Sequence, residues 1–586
     1  MKKRIVVLLL ATIMAVTTVA GCGNSSAETS DATATEAYAT ADEAPADTGT
    51  HSKAESSVNS AATSDASYAV EYEPAMVEAE GEAWYDYDDS SAKKSVVPER
   101  RYAQNNDASG ETYTFNPENG FNSVMSDPLS TFAADVDTAS YANMRRFVND
   151  GYGLYNFPKG SIRAEELINY FKYDYSAPKN GERFGVDAVV SECPWNKNNM
   201  LMILGVNTKD LKEKNKPDSN IVFLLDISGS MNSSNKLPLL KDAMELLVEN
   251  LTENDRVSIV TYASGTHVVL EGVPGDQTSK INRAFEKLKA GGATNGEGGI
   301  ELAYEIAEEN FIKGGNNRVI LATDGDFNIG KCSGDDLNDL ISEKKDSGVF
   351  LSVLGFGMGN YNDTTAETLA DAGNGNYSYI DSIKEAEKVL VEEMNSTLYT
   401  IAKDTKLQVE FNPAMVSQYR LVGYENRALA AEDFTDDTKD GGELGAGHQV
   451  TAVYEITLAD SSSKGGDLKY QDSVISEKGN SKDEWCTLSI AYKDPDKNES
   501  KYLEFPISAN NYTSRPSDDF IFATSVAEYA MALTDSEYLV DMSREEAIEQ
   551  AIKNVKKIDP DDEYKQEFLS LMETVLNGSD TGAWYE

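Results

Sequence analysis

The chain has 586 residues, with 52 Lys and Arg against 99 Asp and Glu, a formal charge of −47 and a hydrophobic fraction of 40%. At about 150 residues per domain, this length suggests three or four structural units with cores of their own. The charge excludes a general nucleic-acid binder, because a polyanion repels phosphate. Four Cys exclude a disulfide-stapled scaffold, and three scattered His (His51, His267, His448) argue against a His-rich metal site or a His-based triad.

The chain opens on Met1-Lys2-Lys3-Arg4 and an apolar run over 5–19. A basic start and about 15 apolar residues read as a secretory signal, too short for the ~20 residues of a comfortable membrane span. The run ends in Val19-Ala20-Gly21-Cys22, which resembles the lipobox of bacterial lipoproteins. That resemblance implies cleavage before Cys22, lipid on Cys22, and an extracytoplasmic protein anchored to the cell membrane. Val19 stands where Leu is commoner. Residues 23–100 hold 17 acidic and 4 basic residues and little Leu, Ile or Phe. Such a segment cannot bury enough apolar area to offset chain entropy, so it is expected to be an extended, disordered tether. Its one aromatic patch is Trp84-Tyr85-Asp86-Tyr87-Asp88-Asp89.

Residues 132–171 read as helical with breaks: a helix over 138–148 with Asp137 as its cap, then one over 163–171. Strands follow at 184–190 and 200–206. From Asn220 the pattern changes. Ile221-Val222-Phe223-Leu224-Leu225 is a continuous apolar run, as expected of a strand covered on both faces. Further strands are predicted at 256–262, 267–270, 318–323, 349–355 and 377–380. Helices are predicted at 236–251, 279–288, 296–312, 337–345 and 364–371, with a long closing helix at 383–401. This alternation predicts βαβ units and a doubly wound, mostly parallel sheet, whose ligands bind beyond the carboxyl ends of the strands.

Those ends carry Asp226-Ile227-Ser228-Gly229-Ser230, then Gly291-Gly292-Ala293-Thr294-Asn295, then Asp324-Gly325-Asp326. Together they resemble the von Willebrand factor type A domain and its metal-ion-dependent adhesion site over about 220–402. The resemblance matches Asp226, Ser228 and Ser230 to the D-x-S-x-S signature, Thr294 to the second loop and Asp324 to the third. It implies direct binding through Ser228 and Ser230, with Thr294 or Asp324 joining and the remaining carboxylates acting through water. Hydroxyls and carboxylates are hard ligands suited to Mg²⁺, with Mn²⁺ or Ca²⁺ as substitutes. An open position would take a carboxylate from a protein partner. Gly229 and Gly325 are expected to let the loops turn tightly.

Beyond this domain, strands are predicted at 407–411, 419–424, 449–458, 485–492 and 502–507, and helices at 518–533, 543–557 and 563–576. Ser543 and Glu546 form a capping box. Two strands before and five after predict one β-sandwich-like domain into which the A domain is inserted. Several segments (Thr131 to Tyr141, Cys193-Pro194-Trp195, 314–330, and Gly423 to Arg427) resemble one bacterial subfamily of A-domain lipoproteins, for which no reaction is implied. The resulting division is a signal peptide at 1–22, an acidic linker at 23–105, an N-terminal flank at 106–215, the A domain at 216–402, a β-rich region at 403–512 and a helical region at 513–586. Cys193, Cys332 and Cys486 read as free thiols in or near cores.

The expected function is a surface-tethered, Mg²⁺-dependent protein-binding module. An envelope assembly or scaffold factor using the same site is the alternative. A metal-dependent hydrolase is a poorer fit, because no His base, G-x-S-x-G elbow, phosphate loop or H-E-x-x-H accompanies the acids, so no catalytic residue is assigned. The tether's acids, for instance those at 86–89, could occupy the metal in cis.

Overall fold

The computed structural model describes residues 102–579, except 107–110, 135–136, 180, 213–214, 295, 326–339, 345–346, 359–361, 460–475 and 477–480. The expectations for Cys22, the tether at 23–100 and its aromatic patch, Cys332 and Asp326 lie outside the described residues; the described end of the linker expected at 23–105 is a strand, β1 (Tyr102–Asn106), paired antiparallel with β2 (Glu111–Phe115).

The central sheet has six strands: β7 (Ser219–Asp226), β8 (Arg256–Tyr262), β9 (Thr266–Pro274), β10 (Asn316–Thr323), β11 (Phe350–Phe356) and β12 (Tyr377–Ile380), in the order β12-β11-β10-β7-β8-β9. All neighbours are parallel except β9, which runs antiparallel on the edge. Every residue of β7 is buried. Ile221, Phe223 and Leu225 join a core with α3 (Leu237–Val248) and α4 (Thr278–Glu286). Val222 and Leu224 join the opposite core with α5 (Glu297–Glu309) and the helix Asp363–Ala372. Two-sided burial is why this strand reads as an unbroken apolar run.

Both flanks build two further antiparallel sheets. One has the order β15-β4-β13-β18-β19, with β16 also on β13; the other has the order β3-β14-β17-β6-β5. Their strands are β3 (Asn122–Ser123), β4 (Leu129–Ala133), β5 (Phe184–Glu192), β6 (Met200–Thr208), β13 (Thr400–Phe411), β14 (Val416–Val422), β15 (Ala428–Leu429), β16 (Gly442–Gly445), β17 (Gln449–Leu458), β18 (Glu484–Lys493) and β19 (Ser500–Ser508). Met202 and Leu204 of β6, Tyr454 of β17 and Leu488 of β18 share the core between the sheets. Leu201, Ile203 and Val453 point the other way, into a helical layer of α1 (Ala139–Asn149), α2 (Ala164–Asn169) and the helices Asp518–Leu533, Arg544–Ile558 and Glu563–Ser579. Alternation along each strand thus feeds two cores from one sheet. The sandwich takes strands from both sides of the central sheet in sequence, as expected. Cys193 and Cys486 are buried free thiols.

Four expectations are corrected. The helical reading of 132–171 fails at its start, where Phe132 and Ala133 end β4, because Phe132 pairs across to Leu407, a partner local periodicity cannot show. Thr138, not Asp137, takes the N-cap position of α1 and makes no side-chain cap bond. The helix expected over 163–171 is shorter, Ala164–Asn169. The long closing helix is interrupted: Ile383–Glu387 passes through a π-helical turn at Lys388–Glu392, resumes as Met394–Leu398 and stops before β13. Of the helix expected over 337–345, residues 340–344 are described and helical.

Candidate metal centre

The site stands where the strand order reverses, between β7 and β10. Register pairs Leu225 with Ala322, so Asp226 and Asp324 emerge side by side at the carboxyl ends. Both are fully buried, and Ser228 is buried with them. The Ser228 backbone N–H donates to Asp226 Oδ1 at 2.7 Å, a two-residue loop that folds the chain back after the strand. The next turn, Gly229–Asn232, is 3-10 helical, and Met231 anchors it in the core. This brings the Ser228 and Ser230 hydroxyls within 2.9 Å of each other. The Thr323 hydroxyl reaches toward Asp226 Oδ2 at 3.5 Å.

The second loop is pinned to the first by backbone. Gly229 N donates to the Gly292 carbonyl at 3.0 Å, and Gly291 N donates to the Ile227 carbonyl at 2.8 Å. Ala293 N donates to Ser264 Oγ at 2.9 Å. Half-buried Thr294 follows directly on this anchored backbone. Gly325 has φ +82°, as its expected role requires, but Gly229 does not enter the left-handed region. The glycine that does is Gly292, at φ +96°, where a Cβ would lie 2.7 Å from Ser264 Oγ.

The structure therefore places Asp226, Ser228 and Ser230 in the turn that leaves β7, sets Asp324 at the adjoining end of β10, and ties the loop that carries Thr294 to that turn. Two carboxylates and three hydroxyls form a donor set of hard oxygens that fits a Mg²⁺- or Ca²⁺-class ion. Among the described residues no group of three or more His, Cys, Asp and Glu assembles as metal ligands. Behind the site, burial and then the Asp226 charge hold the Tyr262 phenol well above its usual pKa.

Sequence reasoning missed Lys236. It reads there only as the start of a helix, yet its ammonium lies 2.8 Å from Asp324 Oδ2, with its side chain 7% exposed. Its place immediately before α3 gives no local sign of that contact. Beside it, a 330 Å³ hollow is lined by residues that include Asn235, Gly357, Met358 and Tyr379.

The segments around the domain lock it in place. Asp137 accepts from the Tyr377 backbone N–H at 3.1 Å and from Arg427 at 2.8 Å. Arg427 also pairs with Glu367 and Asp371, each at 2.9 Å. Arg145 of α1 pairs with Asp381 and, at 2.8 Å, with Glu385. The stretches containing Asp137 and Arg427 are among those that resemble the bacterial subfamily, and these contacts are what the residues do.

A six-stranded sheet of this order, with an Asp-x-Ser-x-Ser turn at its switch point, defines the class of proteins built on a von Willebrand factor type A domain. The family model for that domain matches residues 220–392, one described as "von Willebrand factor" matches 107–203, and one described as "Uncharacterized protein YfbK, C-terminal" matches 396–577. The chain belongs to the family of the Escherichia coli K12 protein YfbK, to which it is 42% identical over 463 residues, 78% of this chain and 79% of that protein. It is 32% identical over 170 residues to sll0103 of Synechocystis, covering 28% of this chain and 39% of that one. Among solved structures, the von Willebrand factor type A protein from Catenulispora acidiphila is similar at a TM-score of 0.38 and 14% identity, over 69% of this chain and 91% of that one.

Proposed function

We propose that the protein is a surface-tethered binding module whose A domain grips a protein partner through a divalent ion, Mg²⁺ in the first place, with Mn²⁺ or Ca²⁺ able to substitute. The observation that carries this reading is the pair of buried carboxylates, Asp226 and Asp324, gathered with the paired Ser228 and Ser230 hydroxyls at the carboxyl ends of β7 and β10. Ser228, Ser230 and Thr294 would hold the ion through hydroxyls, and Asp226 and Asp324 through their carboxylates. When bound, the ion supplies an electrophilic point for a partner's carboxylate. Neutral hydroxyls near the ion leave more of its charge for that partner than a full shell of carboxylates would. The chain's own part is to fix the loops: the backbone bonds between 227–229 and 291–292 hold the turn before any ion arrives. Cys22 would carry the lipid, and the acidic segment after it would supply reach outside the cell membrane.

Cross-linking on intact cells followed by affinity capture, with Mg²⁺ or with chelator, tests this. The reading predicts a partner recovered with Mg²⁺ and lost both with chelator and in Asp226→Ala. Recovery that ignores both would contradict it. A stoichiometric envelope protein would point to assembly, an external ligand to adhesion.

A further inference from the structure

A hollow of 510 Å³ lies where the end of β2, the segment 155–164, the end of β14 and the close of the helix Asp518–Leu533 come together. It shares no residue with the candidate metal centre. Its size falls within the ~300–1,000 Å³ of small-molecule sites. The apolar lining includes Phe115, Phe157, Ile162, Val422, Met531 and Leu533. Backbone closes tightly around it. Gly160 has φ +83°, and a Cβ there would lie 2.6 Å from the Thr114 carbonyl oxygen. Asn119 Nδ2 donates to the Leu421 and Gly423 carbonyls at 3.2 and 2.7 Å. Against this lining stand the carboxyl groups of Glu118 and Glu425 and, behind Gly423, that of Glu165. Gly423 has φ +79°, and a Cβ there would fall 2.4 Å from Glu165 Oε2. That oxygen is buried without a hydrogen-bond partner, and Glu425 Oε1 accepts the Asn119 backbone N–H at 3.3 Å. The bases of the wall are engaged elsewhere. Arg163 pairs with Glu166 and Asp363, Arg544 donates to the Leu154, Ala532 and Leu533 carbonyls, and Lys159 lies 5.7 Å from the centre of the Phe115 ring.

We propose that this hollow binds a small organic ammonium ligand, with its cationic head against Glu425 and its apolar body along Phe115, Met531 and Leu533. The proposal is independent of the metal reading. Burying an alkyl or aromatic body against this lining removes apolar surface from water. The head group is chosen by charge. Carboxylates buried without a base are costly, and a ligand's ammonium supplies both the missing charge and the donors. A carboxylate or phosphate ligand would add to the repulsion instead. Titration fits the same choice. Burial, then repulsion from Glu166, raises Glu165 to about 7, while the Arg163 charge and the Tyr424 backbone pull it down. Burial, then Glu165, with Glu118 adding, raises Glu425 to about 8, against the Asn119 backbone. The empty site therefore holds protons near neutral pH, and an ammonium head favours their release. Binding of the cation should tighten as pH rises from 6 to 8, because fewer protons then remain to be displaced.

The test is calorimetric titration of the full-length protein with hexylammonium, hexanol and hexanoate, which share one tail and differ in the charge of the head. Wild type is expected to bind hexylammonium at one saturable site, and hexanol and hexanoate roughly 10-fold more weakly or less. Its affinity for hexylammonium should rise about 10-fold from pH 6 to pH 8. Glu425→Gln, shown to be folded by far-ultraviolet circular dichroism, should bind hexylammonium about 10-fold more weakly and flatten that pH dependence to less than about 3-fold. The ligand series and the pH series on wild type carry the test if Glu425→Gln does not fold. Equal hexylammonium affinity in wild type and folded Glu425→Gln overturns the proposal, since binding would then be a general attraction to an acidic chain. Hexanol or hexanoate binding as tightly as hexylammonium overturns it too, because the hollow would then not select a cation. So does the absence of saturable hexylammonium binding to wild type at pH 8.

Discussion

Glu455 is the node on which the sandwich and the helical layer meet, and removing it should come near to unfolding the protein. It lies on β17 and is fully buried, as is Arg420 opposite it on β14, whose Nη2 is 3.0 Å from Glu455 Oε2. Trp195 Nε1 donates to the same oxygen at 3.0 Å. Asn199 and Asn196 donate to Oε1 at 2.6 and 3.1 Å. Glu455→Ala strands a guanidinium that has almost no route to water. Breaking a buried pair from one side costs about 3–5 kcal/mol. Three further donors lose their acceptor, at up to ~1–3 kcal/mol each, though these terms overlap. Arg420 keeps its stacking on Tyr538, with Cζ 3.9 Å from the ring centre, which limits the loss. The expected total is about 4–6 kcal/mol, a large share of the ~5–15 kcal/mol a domain possesses. Glu455→Gln keeps the acceptor but not the charge and should lose less. A double change of Glu455 and Arg420 to Met should recover much of the single-site loss. Urea unfolding followed by Trp fluorescence and circular dichroism measures all three. Unfolding free energies for Glu455→Ala and wild type that agree to within ~0.5 kcal/mol would refute this reasoning.

Other contacts make separate predictions. Arg427→Ala removes pairs with Asp137, Glu367 and Asp371 and leaves Asp137 with 2% side-chain exposure. A loss of about 3–5 kcal/mol is expected, with faster amide hydrogen exchange in α1 and in the helix Asp363–Ala372; unchanged exchange there would contradict it. Glu528, in the helix Asp518–Leu533, is pushed up to about 8 by burial, opposed only by a hydrogen bond from Gln550. The folded protein keeps a proton there that the unfolded chain releases near pH 4.5, so this stability is full below about 4.5 and is lost as pH rises through about 8. Glu528→Gln should therefore gain on wild type by on the order of 3 kcal/mol between pH 5 and 9. Parallel stability–pH curves would contradict that.

The central sheet was legible because each of its inner strands is buried on both faces and each helix between them shows one apolar stripe. The five candidate residues could be named for another reason: Asp226, Ser228 and Ser230 are close in sequence, and Thr294 and Asp324 follow recognisable strand or loop ends. What escaped was long-range. β4 is a strand because β13 pairs with it from more than 270 residues away. Asp137 looked like a helix cap because nothing local reveals Tyr377 or Arg427 as its partners. The π-turn at Lys388–Glu392 hides inside a helical pattern, where the Lys388 ammonium sits 4.4 Å from the centre of the Tyr170 ring and 2.6 Å from Glu393. Lys236 was invisible because its meaning lies in its distance from Asp324, not in its spacing.

The central claim is that Asp226, Ser228, Ser230, Thr294 and Asp324 hold a divalent ion. Calorimetric titration of the full-length protein with Mg²⁺ in acetate buffer, beside folded Asp226→Ala, tests it most directly. The account predicts a saturable one-site heat in wild type that is absent from the variant. Equal heats in the two proteins, or no heat in either, would contradict it.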